Sequence, residues 1–450
     1  IYELETNYYH PALLSDFAKR YPNYPNKEQL AEDIRISKLE LYPFQDSTSS
    51  LNSYGYTNEE GEWVIPPRSN FEEPSFFNQG YAVIGHNGLY GVIDKKGVEI
   101  VPFIYDEIEL LENSLILVSL NGLYGLLNRD GSQRHKIEYN QIIDVDSLFY
   151  LLYKGDNSEL YCIKNTAALN FEPMDLELLG MGYYRAYGFN GMKVGLFESQ
   201  DTCILSEVLP IVYGEINQFD DNEFVGELRN GMKIINTSNE MLTDSIYESI
   251  SPLYNGYALA MKESGVGYLN SHAEEVIDFQ YEPFMGIMSS GLFHEGYAIV
   301  KSDGRFGIID TSGNYKLTPE YEQMIYLGGM YGLRQEDHWS IISLAKDSIT
   351  PALFTSIDAL GDGFVLFKEN GKYGMMDADM NSIFPPVYRS IKRFKNHFVI
   401  VGCGDDLNYI TDRYGNLSST KGFSSAQPLT KTHLLVKYEN KMGYFRLTDG

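Results

Sequence analysis

Residues 80–108 read GYAVIGHNGLYGVIDKKGVEIVPFIYDEI. Gly80-Tyr81-Ala82-Val83-Ile84 reads as a first strand. Asn87-Gly88 is a strong hairpin signal, because a type I′ turn needs positive φ at both central positions. Leu89 to Ile93 forms a second strand. Asp94-Lys95-Lys96-Gly97 fits a type I turn closed by a left-handed glycine. Val98 to Val101 makes a third strand, and Pro102, with no N–H to donate, is expected to stop it. Tyr105-Asp106-Glu107-Ile108 then crosses to whatever follows.

The same phrase recurs at 121–131 (NGLYGLLNRDG), 303–313 (DGRFGIIDTSG) and 370–380 (NGKYGMMDADM). With Gly91 as phase marker, equivalents fall at Gly55, Gly125, Tyr161, Gly195, Ile234, Gly267, Gly307, Ser340, Gly374, Tyr409 and Gly443. An aromatic precedes many markers: Tyr90, Tyr124, Phe306, Tyr373. Proline follows eleven positions after the marker at Pro66, Pro102, Pro351 and Pro385. An aromatic comes later still, at Tyr105, Tyr139, Tyr281, Tyr321, Phe354 and Tyr388. Such recurrence inside one chain marks a tandem array. About twelve three-stranded β-meanders of roughly 35 residues are expected over 51–450. One meander cannot bury its apolar face alone, so stacking must supply the core. The second strand is apolar on both faces and belongs between layers. Its central glycine leaves room for an aromatic ring. Ring closure in propellers uses typically 4–8 blades, so an open superhelical, solenoid-like array is expected. Stacked propellers or one large closed ring are the alternative.

Residues 1–50 differ. Pro11 to Arg20 reads as helix, and Asn26-Lys27-Glu28-Gln29 as an N-cap before an apolar face of Leu30, Ile34 and Leu41. These helices are expected to cap the first repeat, with Ser47 to Ser53 as a linker.

The 450 residues carry a formal charge of -27 and a pI near 4.6. The first 50 hold only 8 acidic and 5 basic residues, so -24 belongs to the array. That field repels nucleic-acid phosphate and anionic membranes and favours solubility. Cys162, Cys203 and Cys403 are odd in number and widely spaced. They predict neither a disulfide framework nor a zinc site. No apolar run is long enough to span a bilayer. The chain begins at Ile1, so a removed signal peptide or an upstream lipid-anchor cysteine is an open expectation.

The repeat resembles the WG-repeat (KWG-repeat) family of bacterial β-repeat proteins. Residues 80–108 look close to its typical unit, with Tyr or Phe where that family has Trp. The units near Tyr161, Ile234 and Tyr409 depart from it. The resemblance implies an interaction role, often in bacterial envelopes or conflict systems. It implies no common reaction and no catalytic residues.

No GxSxG, P-loop, GxGxxG or HExxH motif occurs. His272-Ala273-Glu274 lacks the cysteine pair of a zinc deaminase. Asp377-Ala378-Asp379-Met380-Asn381 mimics an EF-hand start but lacks Gly at the sixth position and Glu at the twelfth, so a turn is expected. No enzyme activity, cofactor or metal is therefore expected. Loops that break a repeat are where binding concentrates. The candidates are Phe71 to Asn78; the Tyr183, Tyr184, Tyr187 cluster; Met285 to Phe293; and Tyr326 to Tyr331. The acidic runs Asp220-Asp221-Asn222-Glu223 and Asp405-Asp406 are further candidates. Exposed tyrosines would suit a protein hot spot or a sugar platform, while core packing is the plainer role. The expected function is a non-catalytic scaffold for a protein partner in a bacterial envelope or cell-surface assembly. The alternative is a carbohydrate-binding surface protein using Tyr platforms.

Overall fold

The computed structural model describes residues 11–46, 53–72, 74–111, 114–155, 157–164, 175–188, 191–199, 203–286, 291–402, 406–429, 432–439 and 441–447. The linker between 47 and 52, Cys403, Asp405, and residues 287–290 and 448–450 lie outside them. The described residues form two helices followed by twelve antiparallel sheets. The chain divides into two compact units, 1–216 with five sheets and 217–450 with seven.

Each of the twelve phase markers lies on a strand of its own sheet, from Gly55 in Tyr54–Thr57 to Gly443 in Lys441–Arg446. The expected turns form as well. Asn87 and Gly88 have φ of 53° and 77°, and Gly97 has φ of 75°. The residue at the start of the second turn closes it with its side chain. Asp94 Oδ1 accepts from the Lys96 and Val98 N–H groups, and Asp310 and Asp412 repeat the pattern. Asp377 Oδ1 likewise accepts from the Asp379 and Asn381 amides, so the EF-hand-like run is this turn.

Three expectations need correction. Pro102 does not stop the third strand, which runs Glu99–Tyr105. Tyr90 pairs with Tyr105 and Val92 with Val101, so Pro102 to Ile104 bulge out opposite Gly91. A proline is tolerated there because a bulge needs no ladder N–H from it. Secondly, the crossing residues are themselves a strand in several units. Glu107–Leu110 pairs with Leu115–Leu120, and five of the twelve sheets have four strands rather than three. Thirdly, Asn26 takes the N-cap position of helix Lys27–Lys38, but its side chain makes no capping hydrogen bond.

The passage from one sheet to the next follows one rule. The residue after the closing aromatic donates its N–H to the first long strand of the next sheet. Asp106 bonds the Ser119 carbonyl, Asn140 that of Tyr153, Glu282 that of Lys301 and Glu322 that of Arg334. Its side chain then reaches the next hairpin turn. Asp106 Oδ2 accepts from Asn121 N at 2.5 Å, and Asn140 Oδ1 from Gly155 N at 2.7 Å. Loop and sheet are thereby tied without a long connection.

The core is a series of small clusters, each between consecutive sheets. Tyr56, Ile65, Ala82 and Ile93 join the first two sheets; Val92, Val101, Ile116 and Leu127 join the second and third. In the second unit, Tyr268, Ile277, Ala298 and Ile309 do the same. The second sheet, for example, gives Ala82 and Ile93 to one cluster and Tyr81 and Val92 to the next, as stacking requires. The recurrent aromatics Tyr105, Tyr139, Tyr213 and Tyr281 are all buried. Where the marker glycine is replaced by Tyr161, the ring stacks on Tyr150 at 5.7 Å and meets His135 edge-on at 4.6 Å.

The N-terminal helices pack on each other through Leu14, Phe17 and Leu30. They dock on the second turn of the second sheet. Lys95 Nζ donates to the Ser37 and Leu39 carbonyls at 2.8 and 2.7 Å, and the Lys96 ammonium pairs with the buried Asp33 carboxylate. A cation at the C-terminal carbonyls of a helix is favourable. The strand Tyr42–Gln45 already belongs to the first sheet, inside the stretch read as cap and linker.

Cys162 and Cys203 form a disulfide, with Cα atoms 5.5 Å apart. This overturns the expectation of unpaired cysteines. The two cysteines are 41 positions apart, with the strands Asp175–Gly180, Tyr183–Tyr187 and Val194–Glu198 between them, so spacing carried no signal. Stacking brings the strand Asn157–Cys162 against the loop that follows Val194–Glu198.

Candidate functional site

The aromatic candidates from the sequence are mostly core. Tyr183 and Tyr184 are buried. Tyr184 packs edge-on to Phe149 and donates to Asp146 Oδ2 at 2.6 Å. Tyr187 is half-buried and reaches Glu177. Phe71 is buried and Phe77 packs against Tyr56. Tyr331 is buried beneath the second unit's surface and contacts the half-buried Tyr326, whose ring stacks on His294 at 3.8 Å. Tyr254, 43% exposed, lies 5.1 Å from His294 and extends this row. These three rings precede the first long strands of three successive sheets. Burial raises the hydroxyl pKa of Tyr326 and Tyr331 above the ordinary value.

Asp220 and Glu223 flank a hairpin turn whose exposed tip is Asp221-Asn222. Asp220 Oδ1 accepts from the Asp221 amide. Burial, then the neighbouring Asp220 charge, raises the Glu223 carboxyl pKa, while His272 opposes. The sequence brought these acids together as a turn, and the structure adds His272 to them.

A concave site appears elsewhere. In the first unit an open groove of about 840 Å³ is lined by Tyr90, Tyr124, Asp106, Glu107, Ile108, Glu109, Leu117, Asn140, Gln141 and Ile142. Several of these are repeat equivalents: Tyr90 and Tyr124, Asp106 and Asn140, Glu107 and Gln141, Ile108 and Ile142. The array therefore builds the groove from one side-chain set shown twice. In the second unit a groove of about 680 Å³ is lined by Arg305, Glu320, Glu322, Gln335 and His338, and of these Glu322 is the repeat equivalent of Asp106. There Arg305 pairs with Glu322 at 3.4 Å. Sequence reasoning missed both grooves, because it looked for departures from the repeat, whereas these arise from regular positions. The signal available was the polar pair after Tyr105 and Tyr139, Asp106-Glu107 and Asn140-Gln141.

The marker glycines admit the bulge. A Cβ on Gly91 would stand 2.9 Å from Phe103 Cγ, and one on Gly267 2.9 Å from the Phe279 ring. At Gly374 the ring is that of Phe367; at Gly125 and Gly195 the neighbour is an isoleucine, and at Gly307 it is the Leu317 carbonyl. Only Gly443 of this set has open space.

Among the described residues, no group of three or more His, Cys, Asp or Glu is placed to hold a metal. No described helix is long and apolar enough to cross a membrane.

No curated protein matches the sequence. Among solved structures, a eukaryotic initiation factor is 10% identical over 86% of this chain and 96% of its own, with a TM-score of 0.32. PorZ, a surface component of the type-IX secretion system of Porphyromonas gingivalis, is 7% identical over 92% and 79%, with a TM-score of 0.21. The extracellular domain of the BT4673 one-component system of B. thetaiotaomicron is 11% identical over 91% and 81%, with a TM-score of 0.22. All three TM-scores are low, and the likeness says nothing about function. The family model of the WG containing repeat matches residues 54–90, 90–124, 234–264 and 373–405. Those four stretches cover the marker positions Gly55, Gly91, Ile234 and Gly374, so four of the twelve repeats match the WG containing repeat.

Proposed function

We propose that the chain is a non-catalytic scaffold that binds a protein partner through its repeat surface, in a bacterial envelope or cell-surface assembly. The observation that carries this is the groove at Tyr90 and Tyr124, built from equivalent positions of successive repeats. Repeat arrays make extended contact surfaces of this kind. The compartment is supported by the Cys162–Cys203 disulfide, since such bonds persist where the surroundings are oxidising. A second reading, a carbohydrate-binding surface protein, draws on the Tyr254, His294 and Tyr326 row. It is the weaker one, because His294 and Tyr326 already cover each other's faces.

Co-purification of the full chain from its native source, with cross-linking, separates the two. A stoichiometric protein partner cross-linked to the groove strands supports the scaffold. Retention on a glycan column without such a partner supports the second reading. A hydrolase activity abolished by one Asp or Glu substitution would remove both.

A further inference from the structure

The groove of the first unit has a shape and charge that specify more than a generic surface. Its two walls are the strands Glu107–Leu110 and Gln141–Asp144, each the outermost strand of its sheet. A smaller hollow of about 270 Å³ shares Glu109, Leu117 and Ile142 with the main groove and continues it to Leu111 and Asp144. The depression is therefore elongated along two strands. Exposure alternates along the first wall: Glu107 and Glu109 are exposed, while Ile108 and Leu110 are half-buried. The rim is acidic and the floor is apolar.

The acids are also uncompensated. Among the described residues, no Lys, Arg or His lies within ion-pair distance of Asp106, Glu107 or Glu109. At the positions equivalent to Asp106 in the second unit, Glu282 pairs with Lys301 and Glu322 with Arg305, each at 3.4 Å. Other repeats of the protein place a cation at this position, and among the described residues none stands beside Asp106 in this groove.

We infer that this groove binds an extended polypeptide segment carrying arginine or lysine at alternate positions. The inference rests on the scaffold reading. Alternate residues of a strand share a face and stand roughly 6.6 Å apart, so cations at i and i+2 of an extended segment meet Glu107 and Glu109 together. Guanidinium and carboxylate form bidentate, charge-assisted hydrogen bonds. The intervening residues of the segment face Ile108, Leu117 and Ile142. The half-buried rings of Tyr90 and Tyr124 add faces on which a guanidinium can rest. A depression that runs along two edge strands suits an extended segment.

The test uses the full chain and a fluorescein-labelled ten-residue peptide of alternating Arg and Val, with an alternating Glu and Val peptide as control. Fluorescence anisotropy is read at low and at high salt. The Arg peptide should bind at low salt and weaken as salt rises; the Glu peptide should not bind. The E107Q/E109Q variant, isosteric and at exposed positions, should weaken the Arg peptide at least tenfold with melting unchanged. The E320Q/E322Q variant in the second unit should bind as the parent does. No binding of the Arg peptide, equal binding by E107Q/E109Q, or equal loss in E320Q/E322Q would overturn the assignment, the last by showing diffuse attraction. If the native protein partner stays with E107Q/E109Q, the scaffold stands and the groove assignment falls. If the parent chain holds no protein partner while the Arg peptide binds the groove, the scaffold reading falls instead.

Discussion

Gly91 and Phe103 meet across the bulge of their sheet, so closely that a side-chain carbon on the glycine would stand 2.9 Å from the ring's Cγ and 2.8 Å from the Val101 carbonyl oxygen. The third strand arches over the second at this point, and the arch lets Tyr105 return to register opposite Tyr90. The glycine is required by space, since the obstacle includes backbone that cannot rotate away.

Gly91→Ala should therefore destabilise its unit by about 1–3 kcal/mol, the usual cost of forcing extra carbon into packed surroundings. Gly443→Ala, with nothing near, should stay within about 0.5 kcal/mol of the parent. Calorimetry on the two variants compares them directly, and equal melting temperatures would contradict the arch.

Reducing the Cys162–Cys203 disulfide should lower the stability of the first unit by about 2–4 kcal/mol, because the open chain regains conformational freedom on unfolding. Hydrogen exchange followed with and without reductant should show faster opening in residues 149–213 and unchanged rates beyond 260. Uniform loss of protection across the chain would contradict this.

His135 is buried and accepts or shares a hydrogen bond with Tyr150 Oη at 3.0 Å. Burial, then the Arg134 charge, holds its pKa below the ordinary 6.5, against a smaller opposing pull from Glu159. In the unfolded chain the imidazole protonates near 6.5, while in the fold it resists. Its stabilising contribution is thus complete above about pH 6.5 and declines as pH falls below that value. His135→Gln should shallow the decline in melting temperature between pH 7 and 5 for the first unit. A variant with the parent's slope would refute the assignment.

Lys95 holds the end of helix Lys27–Lys38 through two backbone carbonyls. Lys95→Met removes charged hydrogen bonds worth roughly 1.5–3 kcal/mol in total. Limited proteolysis should then cut faster between residues 20 and 41 while the sheets remain intact. Unchanged cleavage would show that the helices dock by other contacts.

The sequence by itself determined the unit and its count. Positive-φ turns at Asn87-Gly88 and Gly97, a central glycine and a closing aromatic are local demands of backbone geometry, so they recur in most repeats and could be read one residue at a time. All twelve markers, including the degenerate Tyr161, Ile234 and Tyr409, fall on their own sheets for that reason. Tertiary structure alone decided what depends on neighbours. The bulge past Pro102, the fourth strand at Glu107–Leu110, the pairing of Cys162 with Cys203 and the groove between Tyr90 and Tyr124 arise only once sheets stack. Stacking sets distances between residues tens of positions apart, and no local spacing encodes them. The tyrosines at 183 and 184 show the same division: their richness in the chain was plain, but whether their rings faced water or Phe149 was decided by the sheet laid against them.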